Sequence, residues 1–211
     1  MNRLLPASAR YQWRFYRVHG RFCNFRKPQT FSEKIFHRMR YPQPVFTQLA
    51  DKLLVREYIR EQVGDAHNVP LYLATDRVTL DTFKDLPAAF VMKSNNGCGH
   101  VRIVRDKHQA NLTELTNLAN RWLREDFARM NGERHYAGIR PSALFEKALL
   151  VGEAPVADYK VHVFNGADGG SYEFLQIIND RFGRPTQNLY DKDWLEVAFK
   201  IGGRLPASTD A

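Results

Sequence analysis

Apolar positions recur at two different periods along this chain, and the change from one to the other divides it. Thr30-Phe31-Ser32-Glu33 reads as a capping box, so a helix is predicted to run to about Arg40 and to break at Tyr41-Pro42-Gln43-Pro44. Residues 45–63 carry Phe46, Leu49, Ala50, Leu53, Leu54 and Tyr58 at helical spacing, which predicts a second helix closed by Gly64-Asp65. Beyond this point the pattern shortens. Val69–Ala74 reads as a short strand. Ala88–Lys93 reads as another and runs straight into Ser94-Asn95-Asn96-Gly97-Cys98-Gly99. Val101–Val104 resumes as a strand, so the glycine-bearing segment is a hairpin tip. Residues 110–130 predict a helix from Leu112, Leu115, Ala119, Trp122, Phe127 and Met130. Strands follow at about 143–150, 158–165 and 171–178, the last two joined by a turn through Asn165-Gly166 and Asp168-Gly169-Gly170. Patterning after Trp194 is weak. The order of elements is that of an α+β protein.

Composition narrows the class. With 44% hydrophobic and 26% charged residues in 211, the chain has the make-up of a globular protein, not of a disordered or collagen-like one. It is long enough for one generous domain or two small ones. No apolar run approaches the roughly 20 residues of a membrane span. The first thirty residues hold no apolar block of signal-peptide length, which makes a cytoplasmic protein the expectation. Cys23 and Cys98 are the only cysteines, too few for a disulfide framework or a Cys-x-x-Cys zinc site.

Charge is unevenly spread. Residues 1–40 hold ten basic residues against the single acid Glu33, while the rest of the chain carries 21 basic against 22 acidic. Tyr11, Trp13, Phe15, Tyr16, Phe22 and Phe25 interleave with the N-terminal arginines. Such a segment can be a helix docked by its aromatics with arginines in water, a surface for an anionic membrane or polymer, or a platform for single-stranded nucleic acid. Nucleic acid is the weakest of these, because the remainder is not basic and no zinc-finger or RNA-recognition signature occurs.

Four segments could carry chemistry. Lys93 ends a buried strand and is followed by the small-residue loop Ser94, Asn95, Asn96, Gly97, Cys98, Gly99 and His100. Glycines allow backbone N–H groups to approach an anion, and a lysine supplies a point charge for phosphate. The loop is neither a Walker A motif nor Gly-x-Gly-x-x-Gly, and the same residues also suit a plain hairpin turn. Glu146, Lys147, Ala148 and Leu149 end a later strand. Asp158, Lys160 and His162 alternate with Tyr159, Val161 and Val163, giving one ionisable face that suits either a site or a solvated strand. Asp180-Arg181 and Tyr190-Asp191-Lys192-Asp193-Trp194 hold acidic residues that suit Mg²⁺ or turns. Of seven histidines only His100 lies beside the loop, and no Gly-x-Ser-x-Gly elbow occurs.

Taken in order, Thr30-Phe31-Ser32-Glu33-Lys34-Ile35, Ala50-Asp51-Lys52, Val55-Arg56-Glu57-Tyr58, Phe90-Val91-Met92-Lys93 with its Asn/Gly loop, Phe145-Glu146-Lys147, Asp158-Tyr159-Lys160 through Asn165-Gly166, and Asp180-Arg181 with Tyr190-Asp191-x-Asp193-Trp194 resemble the teichuronopeptide-biosynthesis (TupA-like) ATP-grasp family. The resemblance covers roughly residues 28–196. It implies an ATP-grasp fold, in which two α+β subdomains hold ATP, and members similar to carboxylate–amine ligases of bacterial cell-surface polymer synthesis. Carried over, it assigns Lys93 to the α/β-phosphates, Ser94 to Gly99 to the loop over the phosphates, and Glu146 to Leu149 to a hinge strand offering backbone groups to adenine. Lys160 becomes a second nucleotide contact with Asp158 nearby, and Arg181 a group for the transferred phosphate or acceptor carboxylate.

The expected organisation is a basic, aromatic and helical region over 1–64, a first subdomain with the phosphate loop over 65–142, and a partial second subdomain over 143–211. The expected cofactors are ATP and Mg²⁺, and the expected acceptor is an amino acid or sugar polymer. In the family the Mg²⁺ ligands lie on later strands of the second subdomain. Asp180, Asp191 and Asp193 substitute poorly for them by position, so a C-terminally short member with unidentified metal ligands is expected. The alternative is a truncated or inactive ATP-grasp remnant that binds an anionic polymer or membrane through its N-terminal arm.

Overall fold

The computed structural model describes residues 6–152, 154–166 and 168–197. Within them the chain divides into two compact units, one running to Lys147 and one beginning at Ala148.

Unit 1 opens with helix α1 (Ala7–His19), which the sequence pattern leaves as one of several readings for the basic segment. Tyr11 and Phe15 are its buried face, and they join Cys23 and Phe25 in a small aromatic core completed by Phe36 and Met39. Polar bonds fasten it further. The Gln12 amide brackets Cys23, donating to its carbonyl at 2.9 Å and accepting from its N–H at 2.7 Å. The Tyr11 hydroxyl donates to Met39 and Gly132 carbonyls. Helix α2 (Phe31–Arg40) follows, with the expected capping box of Thr30 and Glu33.

The single helix expected over 45–63 is two, α3 (Pro44–Ala50) and α4 (Leu54–Val63). The break has a local cause: Asp51 Oδ1 accepts from the N–H of Leu53 at 2.8 Å, starting a new helix. The helix expected over 110–130 is also two, α5 (Leu112–Arg124) and α6 (Phe127–Asn131), because Asp126 caps the second through the Arg129 N–H.

Strands β1 (Leu71–Thr75), β2 (Phe90–Ser94), β3 (Val101–Val104) and β4 (Ala143–Lys147) form one antiparallel sheet in the order β1-β4-β2-β3. The strand at 143–147 thus belongs to the sheet of unit 1. Alternation sorts the two faces. Phe90, Met92, Ala143, Phe145 and Val104 form the main core with Val78, Phe83 and Leu86, covered by Leu115, Ala119 and Trp122 of α5. Val91, Lys93, Leu144 and Glu146 share the opposite face.

Unit 2 holds a two-stranded ribbon of β5 (Leu150–Val151) and β6 (Ala154–Pro155). It also holds an antiparallel meander of β7 (Asp158–Asn165), β8 (Ser171–Asn179) and β9 (Thr186–Tyr190). The last strand is absent from the sequence-based expectation. Gln187 and Asn188 interrupt its apolar signal, yet both are buried together with Leu189. On β7, Asp158, Lys160 and His162 are the partly buried residues, and Tyr159, Val161 and Val163 are exposed. The ionisable residues therefore occupy the more covered face of the strand, the reverse of a solvated charged face.

Candidate functional site

Strand β4 lies between β1 and β2, so its backbone N–H and C=O groups are committed to the sheet on both sides. Glu146, the first residue of the expected hinge segment, presents its carboxylate on one face of the sheet. On the shared face of the sheet Lys93 of β2 sits diagonal to Glu146, and its Nζ lies 2.5 Å from Glu146 Oε2. Arg56 of α4 reaches the other oxygen, with Nη1 at 3.2 Å from Oε1, and its second nitrogen donates to the Val69 carbonyl at 2.5 Å. Glu146 is buried, while Lys93 and Arg56 remain partly exposed. One carboxylate therefore holds two cations on one face of the sheet.

A third cation comes from the break between α3 and α4. Lys52 Nζ donates to the Gly97 carbonyl in the loop, which fixes the ammonium beside the hairpin tip. Burial pushes its pKa down, and the neighbouring charge of Lys93 adds to that, against the opposing influence of Asp51 and Glu146.

The loop itself is pinned from inside. Ser94, Asn95, Asn96 and Gly97 are buried, and only Cys98 and Gly99 are exposed. Asn95 is the hub. Its N–H donates to the Ser142 carbonyl at 3.0 Å and its Oδ1 accepts from the Ser142 N–H at 2.7 Å. Its Nδ2 donates to Asp51 Oδ1 and to the Arg140 carbonyl, each at 2.9 Å. Asp51 thus starts α4 and anchors the loop with one oxygen. Ser94 Oγ lies 2.8 Å from His100 Nδ1, and His100 Nε2 lies 3.0 Å from Glu125 Oε2. Burial pushes the His100 pKa down, with Glu125 opposing it. In the neutral ring, Nε2–H donates to Glu125 and Nδ1 accepts the Ser94 hydroxyl proton. The imidazole also stacks on Trp122, with centroids 5.2 Å apart and planes 6° from parallel. Ser94 is buried at the start of this chain of bonds, which fixes its hydroxyl in place.

Gly97 is required by space. A Cβ there would lie 3.0 Å from His100 Nδ1 and 3.1 Å from a Phe127 ring carbon. Neither ring is free to give, since His100 is held at both nitrogens and Phe127 packs on Tyr136. The Asn96 Oδ1 is buried and without a hydrogen-bond partner, an acceptor open to an incoming N–H or O–H donor.

The remaining expected residues lie elsewhere. Lys147 is exposed at the end of β4, and Ala148 and Leu149 begin unit 2. In unit 2 Arg181 pairs with Asp158. Lys160 stands opposite Gln176 on β8, whose side chain bridges His162 at 3.1 Å and Gln187 at 2.7 Å. The structure thus brings Lys93, the loop and Glu146 together in unit 1, and Asp158, Arg181 and Lys160 together in unit 2. Asp51, Lys52, Arg56 and Glu125 received no role from the sequence pattern. Asp51-Lys52 at a point where the apolar stripe continues through Leu53 and Leu54 gave no sign of a helix break.

The acidic residues near the end of the described chain serve backbone turns. Asp180 accepts from the Arg184 N–H at 2.6 Å, and Asp191 accepts from the N–H groups of Asp193 and Leu195 at 2.9 Å. Among the described residues, no three His, Cys, Asp or Glu side chains converge to hold a metal ion. Mg²⁺ commonly takes only one or two protein carboxylates beside the substrate phosphates, so the ligands expected for it stay unassigned. Lys93 and Lys52 flank the loop, and Asn96 Oδ1 is a buried acceptor without a partner there.

The α+β fold, with its two antiparallel sheets and flanking helices, is consistent with an ATP-grasp protein, and the sequence comparison supplies the family. Residues 33–205 match the family described as TupA-like ATPgrasp, so the chain belongs to the TupA-like ATP-grasp family. No curated protein and no solved structure matches it.

Proposed function

We propose that this protein is an ATP-dependent, carboxylate–amine ligase-like enzyme of bacterial cell-surface polysaccharide or polymer synthesis. The observation that carries the reading is the cation cluster of Lys93, Arg56 and Lys52 beside the pinned loop. Phosphoryl transfer asks a protein for position and charge stabilisation more than for a nucleophile, and a rigid cluster of cations supplies both.

In this reading Lys93 and Lys52 contact the nucleotide phosphates, while Glu146 holds Lys93 and Arg56 in register. The chain Ser94–His100–Glu125 and the Asn95–Asp51 bond keep the loop in one shape, so that no reorganisation is needed when charge develops. By the family resemblance, Lys160 with Asp158 beside it is a candidate nucleotide contact, and Arg181 a candidate group for the acceptor carboxylate. An acceptor carboxylate oxygen attacks the γ-phosphorus, the bond to the β–γ bridging oxygen breaks, and ADP leaves. An amine then attacks the acyl carbon, phosphate leaves, and an amide remains. In this reading Ser94 and Asn95 support the loop from inside, Asn96 Oδ1 is left to accept from the ligand, and Cys98, Gly99 and the loop backbone meet the phosphates.

Titration calorimetry of ATP into the full chain tests the reading. Saturable binding is expected, and Lys93→Ala is expected to weaken it by about 10- to 100-fold, the worth of a charge-assisted hydrogen bond. Equal affinity in the variant removes Lys93 from the site. ADP release that requires both a carboxylate and an amine supports ligation, whereas release with a hydroxyl acceptor alone points to a kinase.

A further inference from the structure

Helix α1 has a second face that its own core does not use. Tyr11 and Phe15 point into the aromatic cluster, while Arg10, Trp13, Arg14 and Arg17 lie on the other side of the helix. That side forms one wall of a groove of about 1100 Å³, and α6 with its flanks forms the other through Ala128, Arg129, Met130 and Arg134. Five arginines line the groove against one acid, Asp126, whose carboxylate is taken up by the cap of α6. Among the described residues, none of the five has a carboxylate partner within ion-pair distance. Arg14 and Arg134 donate to main-chain carbonyls, Asn131 and Arg40 respectively.

The same surface exposes large apolar side chains. Val18 is 72% exposed, and Phe22 and Met130 are each 67% exposed. Trp13 stacks on Tyr16 at 6.2 Å between ring centroids, and Tyr16 packs on Phe22 at 5.2 Å, so the apolar rim is continuous from the groove to the end of the helix. A soluble polyanion would satisfy the guanidinium groups and leave Val18, Phe22 and Met130 in water. A lipid surface takes both: anionic headgroups meet the arginines, and the rim leaves water among the acyl chains. Trp and Tyr suit that boundary, where one part of the ring is wet and another dry.

We propose that the groove between α1 and α6, with its aromatic rim, docks unit 1 on an anionic lipid surface. The proposal does not rest on the ligase reading, because Arg10, Arg17, Trp13 and Met130 lie outside the Lys93 cluster and the α1 part precedes the matched family segment.

The test is sedimentation of the full chain with vesicles of phosphatidylcholine alone and of phosphatidylcholine with one lipid in three replaced by phosphatidylglycerol. Binding is expected only with phosphatidylglycerol and is expected to fall as salt rises. Each surface arginine is worth about fivefold in partitioning. The triple variant Arg10→Gln, Arg17→Gln, Arg129→Gln is therefore expected to lose roughly 100-fold. These side chains have no ion pair in the fold, so thermal unfolding of the variant should match the parent. Trp13→Ala tests the apolar half: a tenfold or larger loss on vesicles, with no change in retention by a polyphosphate column, is expected. Equal binding to both vesicle types overturns the proposal, as does an unaffected triple variant. Tight binding to polyphosphate or to a single-stranded oligonucleotide with no vesicle binding also overturns it, in favour of a soluble polyanion. ATP titration of the triple variant keeps the two readings apart, since unchanged ATP affinity with lost vesicle binding affects only the docking surface.

Discussion

At the scale of single residues, Glu146 decides how the site is held. Its carboxylate is buried and faces two cations, with a third, Lys52, close by. Removing a buried charge is costly because its partners stay behind uncompensated. Lys93 and Arg56 keep some contact with water, which softens the loss, so Glu146→Gln is expected to destabilise unit 1 by about 2–3 kcal/mol, read as a shift in the urea midpoint. Pairing it with Lys93→Met should recover part of that loss, and a double-mutant cycle measures how much. The same substitution should weaken ATP binding, because Lys93 and Arg56 lose the carboxylate that holds them in place. An unchanged midpoint would mean that the ion triad contributes nothing to the fold. The sequence shows that Lys93 and Glu146 each end an apolar strand, but their meeting depends on β2 and β4 being neighbours, a long-range pairing that no local pattern carries. Asp51 was still harder to read. Its role as helix start and loop anchor is visible only once Asn95 is beside it.

At the scale of elements, local chemistry was legible wherever one short segment contains its own cause. The capping box of α2 is such a case, and it carries a pH signature. The N–H of Thr30 donates to Glu33 Oε2 at 3.0 Å, the Arg21 guanidinium lies 2.5 Å from Oε1, and the N–H groups of Gln29 and Asn24 add to these. Together, with the Thr30 bond the largest influence, they hold the Glu33 carboxyl far below its usual range, against the smaller opposing effect of burial. The folded state thus favours the ionised form. Its contribution is fully present above the unfolded carboxyl value of about 4.3 and is lost as pH falls towards the folded value. Glu33→Gln should therefore lower the thermal midpoint at neutral pH, and the gap from the parent should narrow steadily below about pH 4. A constant gap across that range would show that the carboxylate's charge is irrelevant to the cap. The two predicted helices that prove to be four mark the opposite case. Their apolar stripes run on unbroken through Leu53 and Phe127, and only an Asp side chain turned back onto the main chain interrupts each of them. β9 escaped for a related reason: two of its three buried residues, Gln187 and Asn188, are amides, and Gln187 accepts from Gln176 across the sheet, so burial there leaves little apolar signature.

At the scale of the whole molecule, the unequal distribution of buried apolar residues matters most. The core around Phe83, Phe90, Met92 and Phe145 and the aromatic cluster around Tyr11 and Phe15 both belong to unit 1. Unit 2 buries Phe174, Ile178 and Leu189 with three amides, Gln176, Gln187 and Asn188, and leaves Tyr159, Val161 and Val163 exposed. A unit with so little apolar interior is marginal by itself, whereas unit 1 is of a size that folds alone. A chain ending at Lys147 is therefore expected to unfold in one cooperative transition with native-like near-ultraviolet dichroism, while residues 148–211 alone should not. If unit 2 contributes to nucleotide binding, the fragment ending at Lys147 should retain the fold yet bind ATP at least tenfold more weakly than the full chain. Full affinity in the fragment would confine the site to Lys93, Lys52 and the loop and release Asp158, Lys160 and Arg181 from any nucleotide role. Failure of the fragment to fold would instead mean that the core of unit 1, though complete in its own contacts, depends on residues beyond Lys147 for its stability.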